Sequence, residues 1–178
     1  MKHFLVLLFL PFGLFAQSFE RLVVEITRPA NATAYTAGDV VCGTDSLPSR
    51  FVGSMSSGGG NGFIYSARMS ADTNNSTNAT FRLFLYADSV DLGKIADNAA
   101  HANSFARDSL LIGTIDFTLV ATGSASGTVI YHAILDQPMP FKMPPPSSTS
   151  RGIWGRLTAT GAWTPNVSGK IRLVLIVR

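Results

Sequence analysis

From Glu20 onward, hydrophobic and polar residues alternate. Leu22, Val24 and Ile26 fall on one face, and Arg21, Val23 and Glu25 on the other. A period of two is the pattern of a strand with one face buried. It recurs at Gly62–Ala71, where Phe63, Tyr65, Ala67 and Met69 oppose Ser66, Arg68 and Ser70. It returns at Thr80–Ala87, with Phe81, Leu83 and Leu85 against Arg82, Phe84 and Tyr86. Leu110–Val120, Gly127–Leu135 and Ile153–Thr160 continue the series, and Val40–Cys42 and Phe51–Val52 are shorter extended pieces. Lys170–Arg178 is apolar on both faces, which marks a central strand. The total is about eight strands.

Turn residues separate these runs. Arg28-Pro29 ends the first strand, because proline restrains the residue before it and cannot donate to a ladder. The polar stretch Asp72–Asn78 predicts a hairpin joining Gly62–Ala71 to Thr80–Ala87. Ser89–Asp108 has no sustained strand pattern and reads as a long, structured crossover between sheets. Gln137–Pro146 is proline-rich, so it suits an edge segment or an extended arm. Many short strands and no long amphipathic helix predict an all-β fold: a two-sheet antiparallel β-sandwich, jelly-roll-like. An immunoglobulin-like sandwich is the alternative.

Composition narrows the classes. Of 178 residues, 46% are hydrophobic and 14% charged, which excludes a disordered polyelectrolyte. The net charge is +3 and the arginines are scattered, so no basic run tracks a phosphate backbone and nucleic acid is not an expected partner. Residues 1–16 combine Lys2 with an apolar core from Phe4 to Phe15 and a small residue, Ala16. That is the form of a signal peptide, with a hydrophobic extension or tether as the competing reading. The run is too short for an ordinary spanning helix, so no stable membrane span is expected in the mature chain. Residues 17–178 then form a single β-sandwich domain.

Candidate chemistry is sparse. Cys42 is the one cysteine and reads as a small buried hydrophobe. The Gly-rich Ser54–Asn61 lacks the Lys-Ser/Thr pair and following helix of a phosphate loop. Asp91, Asp97, Asp108 and His101 match no metal-ligand spacing and read as solvated carboxylates and caps. His132 reads as an inner or cross-strand residue, with no Ser or Cys motif to form a dyad. No catalytic, cofactor-binding or metal residue is assigned, and the chain is expected not to be an enzyme. Tyr35, Trp154 and Trp163 are the candidate contact surface, as a stacking platform; core and turn packing is the plainer reading.

Four stretches carry a resemblance: I-T-R-P-A-N-A-T-A-Y-T-A-G-D-V-V (Ile26–Val41), I-A-D-N-A-A (Ile95–Ala100), L-I-G-T-I-D-F (Leu111–Phe117) and G-R-L-T-A-T-G-A-W-T-P (Gly155–Pro165). In wording and order they resemble segments of small structural proteins of tailed bacteriophages. The resemblance implies a non-enzymatic virion protein, a capsid decoration or head-fibre-associated β-sandwich. It would self-associate and contact the major capsid protein, and it brings no catalytic residues. The leader departs from that family; L-F-A-Q at Leu14–Gln17 looks like an exported bacterial protein. The alternative is therefore a secreted or cell-surface binding module for a glycan or protein ligand.

Overall fold

The computed structural model describes residues 19–51, 60–71, 79–88, 93–102, 108–122, 129–142, 151–165 and 167–178. The expected leader, the Asp72–Asn78 loop and most of Ser54–Asn61 lie outside the described residues, as does Asp91.

The described chain forms nine strands: β1 (Glu20–Thr27), β2 (Val40–Val41), β3 (Ser49–Phe51), β4 (Asn61–Ala71), β5 (Phe81–Asp88), β6 (Leu111–Thr122), β7 (Val129–Lys142), β8 (Arg151–Ala159) and β9 (Lys170–Val177). All pairings are antiparallel, in the order β1-β9-β4-β7-β6-β5-β8-β2, with β3 also on β8. The ribbon folds over at β6. Its residues 111–117 pair with β5, and 118–122 pair with β7. This makes two sheets packed face to face, β1-β9-β4-β7 and β6-β5-β8-β2/β3. The short β2 and β3 share the partner β8 and fill one position, so eight positions are occupied. This is the jelly-roll order, and the pairing of first strand with last sets aside the immunoglobulin-like alternative.

The alternating patterns point inward as expected except at the start of β4, where a bulge between Ile64 and Ser66 switches the face: Phe63 is exposed and Ile64 buried, and the expected face resumes at Ala67 and Met69. Leu22, Ile64, Met69, Leu83, Leu85, Ile115, Phe117, Leu157, Leu173 and Leu175 are buried in one core between the sheets. Gly155 has a packing reason: a Cβ there would lie 2.6 Å from the Phe51 ring and 3.0 Å from Leu83. The C-terminal strand β9 is central, between β1 and β4. The proline-rich end of β7 pairs with β4 alone, as an edge, since β6 meets β7 only at residues 129–132.

Two connections differ from expectation. β4 and β5 do not form a hairpin: β4 pairs with β7 and β9, and β5 with β6 and β8. Two alternating strands around a polar loop satisfy a cross-sheet pair as well as a hairpin, because both bury one face of each strand. The segment after β5 is not a crossover between sheets either. β5 and β6 are antiparallel neighbours in one sheet. Of the chain between them, residues 93–102 lie over its outer face.

Candidate functional site

That excursion is fastened by hydrogen bonds along β2. Asn98 N donates to the Val40 carbonyl, Val40 N to Ala99, His101 N to Gly38, and Ile95 N to Ser46. Asn98 adopts a left-handed conformation (φ 62°), which an asparagine tolerates.

Its anchor is Asp97. The carboxylate accepts from Arg28 Nη2 at 3.2 Å, the Tyr35 hydroxyl at 2.6 Å and the Cys42 amide at 3.0 Å. Arg28 Nε donates in turn to Tyr35 Oη at 2.7 Å. The Arg28 and Asp97 side chains are 1% and 6% exposed, so this ion pair is buried. A buried charge persists only when paired and hydrogen-bonded, as both are here. The Arg28 guanidinium also lies 4.8 Å from the Tyr35 ring centroid and 5.4 Å from that of Trp163. Tyr35 and Trp163 stack at 5.0 Å and bridge through their backbones, and Phe81 meets Trp163 edge-on. Burial, then the hydrogen bond and charge of Asp97, hold the Tyr35 hydroxyl far above its ordinary range. Burial first, then Asp97, pushes the Cys42 thiol up to about 12. It stays protonated at neutral pH and is no thiolate nucleophile.

A second group lies under the same excursion. Arg156 Nη2 donates to the Gly93 carbonyl at 2.9 Å. The Tyr86 hydroxyl lies 3.4 Å from His101 Nε2, and the His101 ring packs on Phe84. Tyr86, Arg156 and Thr158 point outward from their sheet, yet are buried.

The candidate aromatic residues therefore separate. Tyr35 is 1% exposed and Trp163 3%, so the expectation of one exposed stacking platform is corrected by their burial against each other and Arg28. Trp154 is half-buried and lies elsewhere. It lines a cleft of about 460 Å³ between Val24–Thr27 of β1 and residues 43–50, with Arg50 over its ring at 5.7 Å. Glu25, Asp45, Ser49 and Arg50 give that cleft polar walls. Of the acidic set, Asp97 is the buried anchor, Asp108 is exposed, and His101 serves the excursion's packing. His132 is exposed on the outer face of its sheet, opposite Arg68.

Sequence reasoning missed Arg28, Asp97 and Arg156 as a set. Their partners are 69 and 63 residues away, and no local pattern encodes that. Among the described residues, no group of three His, Cys, Asp or Glu side chains is placed to hold a metal, and no helix is long and apolar enough to cross a membrane.

No family model and no curated protein matches the chain. Among solved structures, it is similar to a chain in "Structure of Triatoma Virus (TrV)", at 14% identity and a TM-score of 0.27. The match covers 90% of this chain and 65% of that one, so this chain spans less than two thirds of its length. So loose a superposition adds nothing to the strand order above.

Proposed function

We propose that this chain is a non-enzymatic structural protein of a virion, a capsid decoration or head-fibre-associated jelly roll. The observation that carries the reading is how the polar side chains of the conspicuous stretches are used. Arg28, Tyr35 and Asp97 lie within Ile26–Val41 and Ile95–Ala100, the first two landmarks of the phage resemblance. Their polar atoms are spent on one another, fastening a loop to a sheet. A scaffold that consumes its buried polar groups in this way suits assembly. Jelly rolls are a common architecture of capsid and lectin domains. Partners in this reading are the major capsid protein and further copies of the chain. The test is co-purification: mature chain in purified particles of the encoding phage supports the reading, and absence from every particle fraction ends it.

The Trp154 cleft favours a second reading, an exported module that binds a glycan or protein at the cell surface. Aromatic and polar walls together are what a sugar requires. Its test is a glycan array with Trp154→Ala. Trp163→Ala is the wrong probe, since removing a buried ring costs about 3–5 kcal/mol of stability whether or not a ligand binds.

A further inference from the structure

We infer that the open edge of β1 is a self-pairing interface, at which two copies of this chain join β1 to β1 antiparallel with Val23 opposite Val23. The inference deepens the assembly reading above by naming the face and the partner.

β1 pairs with β9 along its whole length and with no strand on its other side, where residues 43–50 flank Val24–Thr27 across the cleft described above. It runs eight residues without a proline or lysine, two of the usual devices that discourage pairing, and its charges are Glu20, Arg21 and Glu25. A sheet continued across two copies restricts the register. Residues directly opposite share a face, so only registers that keep Leu22, Val24 and Ile26 inside in both copies are allowed.

Among those, centring on Leu22 sets Arg21 against Val23. Centring on Val24 sets Arg21 against Thr27 and Val23 against Glu25. Centring on Arg21 or Glu25 opposes like charges. Centring on Val23 alone sets Arg21 opposite Glu25 of the second copy, and by two-fold symmetry does so twice. Leu22 then faces Val24 on the inner side.

The surroundings fit this register. Arg21 is exposed and has no charged partner among the described residues. Glu25 accepts from Arg172 Nε and Nη2 through Oε1, which leaves Oε2 for Arg21 of the second copy. Val23 is 37% exposed and sits opposite Val174 on β9. Pairing makes an apolar row, Val174–Val23–Val23–Val174, across the outer face.

The test is sedimentation velocity and native mass spectrometry on the full chain. Arg21→Glu places two acidic residues opposite each other, and Glu25→Arg places two basic ones. Each variant alone is expected to weaken the dimer by about tenfold or more. Both sites are exposed, and circular dichroism checks that each variant is folded. An equimolar mixture of the two restores opposite charges at both contacts, so a heterodimer should form at wild-type affinity, which a general folding defect would not produce. Val23→Lys should also weaken the wild-type dimer. A monomeric wild type, dimers indifferent to the single changes, or a mixture that stays monomeric would each overturn the pairing. Particle co-purification of the same chain decides the virion reading separately.

Discussion

The two sheets carry outward-pointing polar side chains of similar kind and treat them in opposite ways. On the β1-β9-β4-β7 sheet, Arg68 and Arg172 stand in solvent, and Arg172 pairs with an exposed Glu25. On the β5-β8-β2 side, Tyr86 and Arg156 are buried against residues 93–102, and Thr158 is buried with its hydroxyl on the Arg82 carbonyl. The cover stops before β6, where Arg82 and Asp116 form a pair 43% and 62% exposed. An outward arginine is thus inert or structural according to what lies above it. The strand that carries it looks the same in both cases.

The sharpest way to break this contrast is Asp97→Ala. It leaves Arg28, with a side chain 1% exposed, without its counter-charge. Stability should fall by about 3–5 kcal/mol in denaturant titration, and amide exchange at Val40 and Asn98 should speed up as the cover loosens. No loss would mean that the buried pair does not hold the excursion.

Next, Arg156→Ala should cost about 1.5–3 kcal/mol through its charged hydrogen bond to the Gly93 carbonyl. Arg68→Ala, outward on the open sheet, should stay within about 0.5 kcal/mol. Equal losses would erase the distinction between the sheets.

The covered side should also show in alkali. The Cys42 thiol is raised from 9.0 to about 12, so the unfolded chain ionises there first. Its contribution is complete below pH 9.0 and is lost as pH rises toward about 12. The slope is at most about 1.4 kcal/mol per pH unit from this group. Tyr35 acts in the same direction. Cys42→Ser should flatten part of the decline in unfolding midpoint, and an unchanged decline would remove Cys42 from the account.

A small effect also belongs to the uncovered margin. Arg82 holds the Asp116 carboxyl below the usual carboxylate range, chiefly by hydrogen bonding. That contribution is present above the ordinary carboxylate pKa and is lost as pH falls through the lowered one. The pair is solvent-screened, so Asp116→Asn should change stability by less than about 1 kcal/mol. A carboxyl titration followed by NMR should move upward in Arg82→Ala.

The layers of the sandwich were legible where a strand states its inner face locally: β1, β5 through Leu85 and β9 alternate as their burial does, whereas the bulge in β4 turns Phe63 outward and Ile64 inward, which a period of two does not encode. Strand partnership was less so. The polar loop after β4 reads as a hairpin, but nothing in a period of two says whether the next strand lies beside or across the core. The covered face was not legible at all. In β8, Arg156 looks like an ordinary solvent-facing residue, and its burial goes with a segment sixty residues earlier. Asp97 likewise reads as a loop carboxylate until the fold brings Arg28, Tyr35 and Cys42 to it. Tyr35 and Trp163 were legible as important aromatics, and their packing partner as each other was not.

The register of β1 on β9 has a mechanical consequence. Glu20 lies opposite Val177, and Thr27 opposite Lys170. Residues 19 and 178 therefore leave the domain side by side at one end. Tension applied between them would open the two strands like a zipper, loading one rung of the ladder at a time. The same strands pulled from opposite ends would share the load across every rung at once. This domain is consequently weak when stretched between residues 19 and 178 and strong when gripped at one end of the β1–β9 pair and dragged from the other.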